Sequence, residues 1–224
     1  MQTATSPHIK ICCISSIEEA RMAIRLGASA IGLVSEMPSG PGVISEALIA
    51  EIAAQTPPPI ATFLLTSKQS IGEIIAQQRR CRTNTIQICD RLLDGSHAEL
   101  KAALPGISIV QVIHVADQTS VEEAISVAPA VDAILLDSGN QKLAVKELGG
   151  TGRAHDWRLS LEIREAVDKP IFLAGGLNPK NAAEAVEQVG PFGLDVCSGV
   201  RMDGRLDESK LAAFFDCTRA GKRI

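Results

Sequence analysis

The sequence predicts an α/β fold, one closed barrel of eight parallel strands with a helix after each, and three observations carry that reading. Short apolar runs rich in β-branched residues recur eight times along the chain. A segment with amphipathic helical spacing follows each of them. Eight such units share 224 residues, 28 apiece, the size of a minimal strand-plus-helix module. That pattern is a (β/α)8 TIM barrel, with residues 1–224 as a single domain.

Taken in order, the strands are expected over 8–14, 28–34, 60–65, 84–88, 108–114, 131–137, 170–174 and 192–197. The helices are expected over 16–26, 45–55, 71–81, 97–103, 120–127, 157–167, 181–189 and 208–220. The first helix has a start signal in Ser15-Ser16 followed by Glu18-Glu19 and a stop signal in Gly27. Pro57-Pro58-Pro59 reads as a turn into the third strand, and the glycine-rich 149–152 lies within one strand-to-helix connection, so neither is a domain linker. A doubly wound open sheet competes for the same pattern. Its GxGxxG fingerprint is missing after the first strand, where Cys12-Cys13-Ile14-Ser15-Ser16 stands instead.

Composition excludes several function classes. With 46% hydrophobic and 21% charged residues, the chain can bury a large core and is not disordered. Its 22 basic and 26 acidic residues give a net charge of −4, so no global positive field exists for nucleic acid or an anionic membrane. Aromatic residues make up only 3%, too few for base-stacking or carbohydrate platforms. No apolar run reaches the roughly 18 residues of a membrane span, and residues 1–10 lack a signal-peptide layout. The expectation is a soluble, cytoplasmic protein with a small-molecule ligand and neither nucleic acid nor membrane as partner. Six cysteines without CxxC or Cys/His spacing read as free thiols, and no metal site is expected.

In such a barrel, chemistry sits at the carboxyl ends of the strands. Strand alternation puts Lys10 and Cys12 on one face and Ile11 and Cys13 on the other, so an ammonium would favour the Cys12 thiolate as a base. The alternative is an inert buried thiol, the class to which Cys13, Cys81 and Cys217 are assigned. Asp137 ends the Ile134-Leu135-Leu136 run, where burial should raise its pKa toward that of a general acid. A plain Asx turn into Ser138-Gly139-Asn140 is the competing reading. Gly175-Gly176-Leu177-Asn178-Pro179 and Ser198-Gly199 follow the last two strands, where barrels commonly hold phosphate on backbone amides. Gly149-Gly150-Thr151-Gly152-Arg153 either folds over the ligand as a lid, with Arg153 reaching the anion, or is an ordinary flexible loop. His114 is either a site residue or a structural imidazole. Glu18-Glu19 and Glu122-Glu123 open helices and are assigned only to the helix dipole.

Jointly and in order, these motifs resemble the phosphoribosylanthranilate isomerase family over nearly the whole chain. Lys10-Ile11-Cys12, the Leu-Leu-Asp-Ser stretch holding Asp137, Gly-Gly-Thr-Gly-Arg before Asp156-Trp157, and the loops at Gly175–Pro179 and Asp195–Val200 carry the likeness. The resemblance implies a cofactor-free Amadori rearrangement of N-(5-phosphoribosyl)anthranilate, with Asp137 as general acid and Cys12 as general base. It implies phosphate contacts from Gly152, Gly175, Gly176, Asn178, Ser198 and Gly199. Substrate contacts are expected from Lys10, Gln87, His114, Arg153, Asp195 and Arg201, in a monomer or homodimer.

Several positions depart from the family pattern. Cys13 stands where the family has glycine, and Cys13→Gly is expected to be tolerated if Cys13 faces the helices. Gly42 stands where an arginine grips the anthranilate carboxylate, and an arginine restored there is expected to improve turnover. Cys89-Asp90 replaces His-Gly, and Arg201 replaces an acidic residue, from where it could recognise the anion. Two other functions share these features: an isomerase of a different phosphorylated aminosugar, and a non-catalytic binder of phosphoribosyl ligands.

Overall fold

The computed structural model describes residues 6–139, 145–149 and 155–220. Its elements alternate from one end to the other: β1 (His8–Ile11), α1 (Ile17–Leu26), β2 (Ala30–Val34), α2 (Glu46–Gln55), β3 (Ala61–Thr66), α3 (Ile71–Cys81), β4 (Thr85–Ile88) and α4 (His97–Ala103). They continue with β5 (Ser108–His114), α5 (Thr119–Val127), β6 (Ala133–Asp137), α6 (Trp157–Ala166), β7 (Ile171–Leu173), α7 (Ala182–Val189), β8 (Gly193–Val196) and α8 (Glu208–Ala220). All eight strands pair in parallel with their chain neighbours, and β1 pairs with β8 to close the barrel.

Two-residue alternation sorts the apolar side chains into two cores. Ile9, Ile11, Leu64, Ile134, Leu136, Leu194 and Val196 point out and pack beneath the helices. Phe63, Leu65, Val110, Val112, Ala133, Leu135 and Phe172 point in and fill the barrel itself. Phe63 and Phe172 meet edge to face at 5.8 Å between ring centroids. Asp137 and Asp195 share the inward parity of their strands, so the barrel rather than any helix contact receives both carboxylates.

The strands are shorter than expected at several ends. β1 stops at Ile11 instead of residue 14 because Cys13 has φ +61°, a left-handed backbone that cannot continue a strand. β8 stops at Val196, and a single 3-10 turn over Ser198–Val200 follows it. A small antiparallel hairpin of β9 (Arg201–Met202) and β10 (Arg205–Leu206), absent from the expected element order, then leads into α8. No helix among the described residues is long and apolar enough to cross a membrane.

Candidate active site

The carboxyl ends of the strands surround a cavity of about 660 Å³, counted out to its open mouth. Its floor and walls bring together Cys12, Asp137, Gln87 and Asp195 of the expected site, with Gly175, Gly176 and Ser198 at one side. Met37, Ser39, Gly40 and Pro41 from the β2–α2 loop and Leu148 and Gly149 from the β6–α6 connection complete the rim. Of the expected lid, Gly152 and Arg153 lie outside the described residues, while Gly149 is at the cavity. It has φ +110°, and a Cβ there would fall 2.3 Å from Asp137 Oδ2, so only glycine lets this segment close over the carboxylate.

Beneath Cys12, Lys10 is completely buried and pairs with Asp195 at 2.9 Å, with its ammonium also over the Phe63 ring at 5.1 Å. Burial works against the Lys10 charge, but the Asp195 carboxylate, and after it Cys12, holds its pKa above the usual value. Burial pushes Asp195 up, and the ammonium beside it opposes that. Lys10 therefore reaches substrate space only through Cys12 and Asp195. Gly32 on the neighbouring strand is what makes room for this arrangement. A Cβ there would lie 2.9 Å from Cys12 Sγ and 3.1 Å from Lys10 Nζ, so both groups border one small space that a side chain would fill.

The last two loops interlock. Gly175 and Gly176 have φ of +83° and +64°. Asn178 does not line the cavity. Its amide donates to the Gly176 carbonyl at 3.1 Å and its oxygen accepts from Lys180 N at 2.9 Å, which pins the turn. Gly199 also lies behind the cavity wall, where a Cβ would meet the Leu177 carbonyl at 2.0 Å. Of the six expected phosphate contacts, Gly175, Gly176 and Ser198 thus face the cavity, and Asn178 and Gly199 shape the loops that present them.

Four expectations need correction. Cys13 does not face the helices. Its left-handed backbone reverses the alternation and turns the thiol into the cavity wall, with Sγ 2.7 Å from Cys197 Sγ. Arg201 is not available to an anion: it pairs with Glu19 at 3.0 Å and donates to the carbonyls of Cys12, Cys13 and Gly204. His114 lies outside this cavity, with its Nε2 2.9 Å from the Cys89 carbonyl, and lines a neighbouring cleft with Asp90 and His155. Gly42 cannot host an arginine in this turn. It has φ +81°, and a Cβ would lie 2.5 Å from Cys13 Cβ and 2.9 Å from Cys13 Cα.

Glu19, assigned only to the helix dipole, is in fact a hub. Ser16 caps α1 by accepting from Glu19 N at 3.2 Å, and the Glu19 carboxylate reaches back to accept from Ser15 N at 3.0 Å. The same carboxylate accepts from Leu206 N at 2.8 Å and from Arg201. Arg201 and Glu19 together fasten the Cys12-Cys13 turn to the hairpin after β8. The Ser-x-x-Glu spacing was the available signal, but its second partner, 182 residues away, was not.

Residues 9–217 match the family described as N-(5'-phosphoribosyl)anthranilate (PRA) isomerase. The N-(5'-phosphoribosyl)anthranilate isomerase of Methanocella arvoryzae is 33% identical over 208 residues, covering 93% of this chain and 95% of that protein. Isomerase 2 of Methanosarcina mazei is 34% identical over 92% of each. Among solved structures, the phosphoribosyl anthranilate isomerase of Thermococcus kodakaraensis superposes with a TM-score of 0.79 at 28% identity, covering 96% of this chain and all of the other. One solved in complex with reduced 1-(o-carboxyphenylamino)-1-deoxyribulose 5-phosphate gives a TM-score of 0.77 at 25% identity, covering 96% and 99%.

Proposed function

The chain belongs to the phosphoribosylanthranilate isomerase family, and we propose that it performs that family's Amadori rearrangement in tryptophan biosynthesis, with Cys12 as general base and Asp137 as general acid. The observation that carries this reading is that a thiol from the end of β1 and a carboxyl from the end of β6 face one cavity walled by two glycine-bearing loops. Asp137 gives a proton to the furanose ring oxygen, opening the sugar to a Schiff base with the aryl amine. Cys12 takes the C2 proton to leave the enolamine, which tautomerises to the 1-amino-1-deoxyribulose. A proton donor and an acceptor at two different atoms of one pentose are all the reaction asks of side chains.

The surrounding residues position this pair. Ser138 N donates to Asp137 Oδ1 at 2.7 Å, which aims the other carboxyl oxygen toward the cavity side held open by Gly149. Lys10 places positive charge next to Cys12. Amides of the turns at Gly175, Gly176 and Ser198 are the groups that would receive the 5-phosphate, with Gly152 and Arg153 as further candidates. Gln87, whose carbonyl oxygen is buried without a protein partner among the described residues, is the candidate for a sugar hydroxyl.

Rescue of a tryptophan auxotroph lacking this isomerase, with a fluorescence assay on purified protein, tests the activity. Cys12→Ala and Asp137→Asn are each expected to lower kcat by roughly 10²–10⁴-fold while affinity for a phosphorylated product analogue stays within about twofold. Turnover retained in either variant overturns its assigned role. A second reading, the same rearrangement on a different amine, is favoured by Gly42 at the position of the family's carboxylate-gripping arginine. It predicts a higher kcat/KM for another N-phosphoribosyl amine than for the anthranilate.

A further inference from the structure

Cys13 and Cys197 are far apart in sequence, yet barrel closure sets their sulfurs 2.7 Å apart at the cavity rim. We propose that these two thiols are an oxidative modification site: a peroxide converts them to a disulfide that locks the mouth of the cavity and reversibly stops turnover. The loss of turnover rests on the isomerase reading; the disulfide itself does not.

A disulfide spans about 2.05 Å, so the sulfurs need close by well under an ångström. The two thiols are also unlike. The proton-sharing contact with Cys13 and then the nearby Arg201 guanidinium lower the Cys197 pKa against its burial, while contacts with Cys12 and Cys197 raise that of Cys13. Cys197 is accordingly the attacking sulfur and Cys13 the resolving one. Cys197 is partly exposed and both line the cavity, so a small oxidant reaches them through its mouth. By contrast, Cys81 lies under the helices with its pKa pushed up to about 12 by burial, and burial also raises Cys89.

The step balances with hydrogen peroxide as oxidant. The Cys197 thiolate attacks one peroxide oxygen, the O–O bond breaks, and the departing hydroxide takes a proton to become water. Cys13 sulfur then displaces the hydroxyl from the Cys197 sulfenic acid as a second water. Two thiols lose two electrons in all, and one peroxide is reduced to two waters. A dithiol reductant reverses the bond by exchange. The expected effect on turnover follows from the neighbours. Cys13 directly follows Cys12, and Cys197 directly precedes Ser198, so a single covalent bond shifts both the base and the turn beside the phosphate position.

The test titrates the full chain with hydrogen peroxide and reads it by peptide mass mapping and by turnover. The expected product is a Cys13–Cys197 cross-linked peptide formed before Cys81 or Cys217 is modified. Turnover should fall at least tenfold in step with it and return with dithiothreitol. Cys13→Gly, a residue suited to that left-handed turn, and Cys197→Ala should both keep turnover at peroxide levels that silence the parent. Oxidation that lands on Cys12, stops at sulfinic acid without a cross-link, or leaves turnover unchanged once the cross-link is complete overturns the proposal. If the reduced protein shows no isomerase activity, the proposed function fails instead. The switch is then judged by the cross-link and by whether it abolishes inorganic phosphate binding, retained binding being its refutation.

Discussion

At the level of single residues, the packing of Gly42 against Cys13 decides how the altered β2–α2 loop can be re-engineered. Gly42→Arg must place a side chain at positive φ and against backbone that has nowhere to move. It is expected to lose about 1–3 kcal/mol of stability and to lower kcat/KM rather than raise it, as a urea midpoint and the fluorescence assay would show. An unchanged midpoint with higher kcat/KM would mean that the loop rebuilds around the arginine. Alternation made the inward face of Cys12 legible beforehand and a strand end that of Asp137, whereas Asp195 was pointed to only by the family resemblance. The placements of Cys13 and Arg201 were not legible. The first depends on a positive φ that cysteine rarely adopts, and the second on a partner distant in sequence, Glu19.

At the level of elements, the clasp between the start of α1 and the β9–β10 hairpin holds the turn that presents Cys12. Burial alone would raise the Glu19 pKa, but its hydrogen bonds to Arg201 and to the amides of Leu206 and Ser15 outweigh that and lower it from 4.5. A carboxyl whose folded pKa is depressed stabilises the fold above its unfolded value, and that contribution is lost as pH falls through the folded one. Stability should therefore drop as pH falls from about 4.5. Glu19→Gln should be less stable at pH 7 and show a flatter acid limb in urea titrations taken pH by pH. Equal acid slopes for the two proteins would remove Glu19 from this role. The element order was readable because each helix carries its own periodicity; α3, α4, α8 and β5 match their expected bounds. The short hairpin was not readable, since two-residue strands have no period and owe their place to Arg201 and Leu206 contacts with α1.

At the level of the whole molecule, the Lys10–Asp195 pair sits on the seam where β1 meets β8, with the two residues directly opposite in register. Removing one member leaves the other charge buried and alone, which costs far more than removing both. Asp195→Leu and Lys10→Met are each expected to lose about 3–5 kcal/mol, whereas the two combined should recover a large part of that loss. Calorimetric or urea unfolding of the four proteins in the cycle measures the difference, and additive losses would show that the pair is not coupled. Eight-fold closure could be counted from the sequence, but an ion pair as its fastener could not, because Lys10 and Asp195 stand 185 residues apart.

That seam also orders events during synthesis. A ribosome delivers Lys10 185 residues ahead of Asp195, so for that stretch of translation the emerging polypeptide holds an ammonium without this counter-charge and an inner sheet with two open edges. Nascent chains arrested before residue 195 should stay sensitive to protease, and resistance should arrive in a single step once the eighth strand has left the exit tunnel.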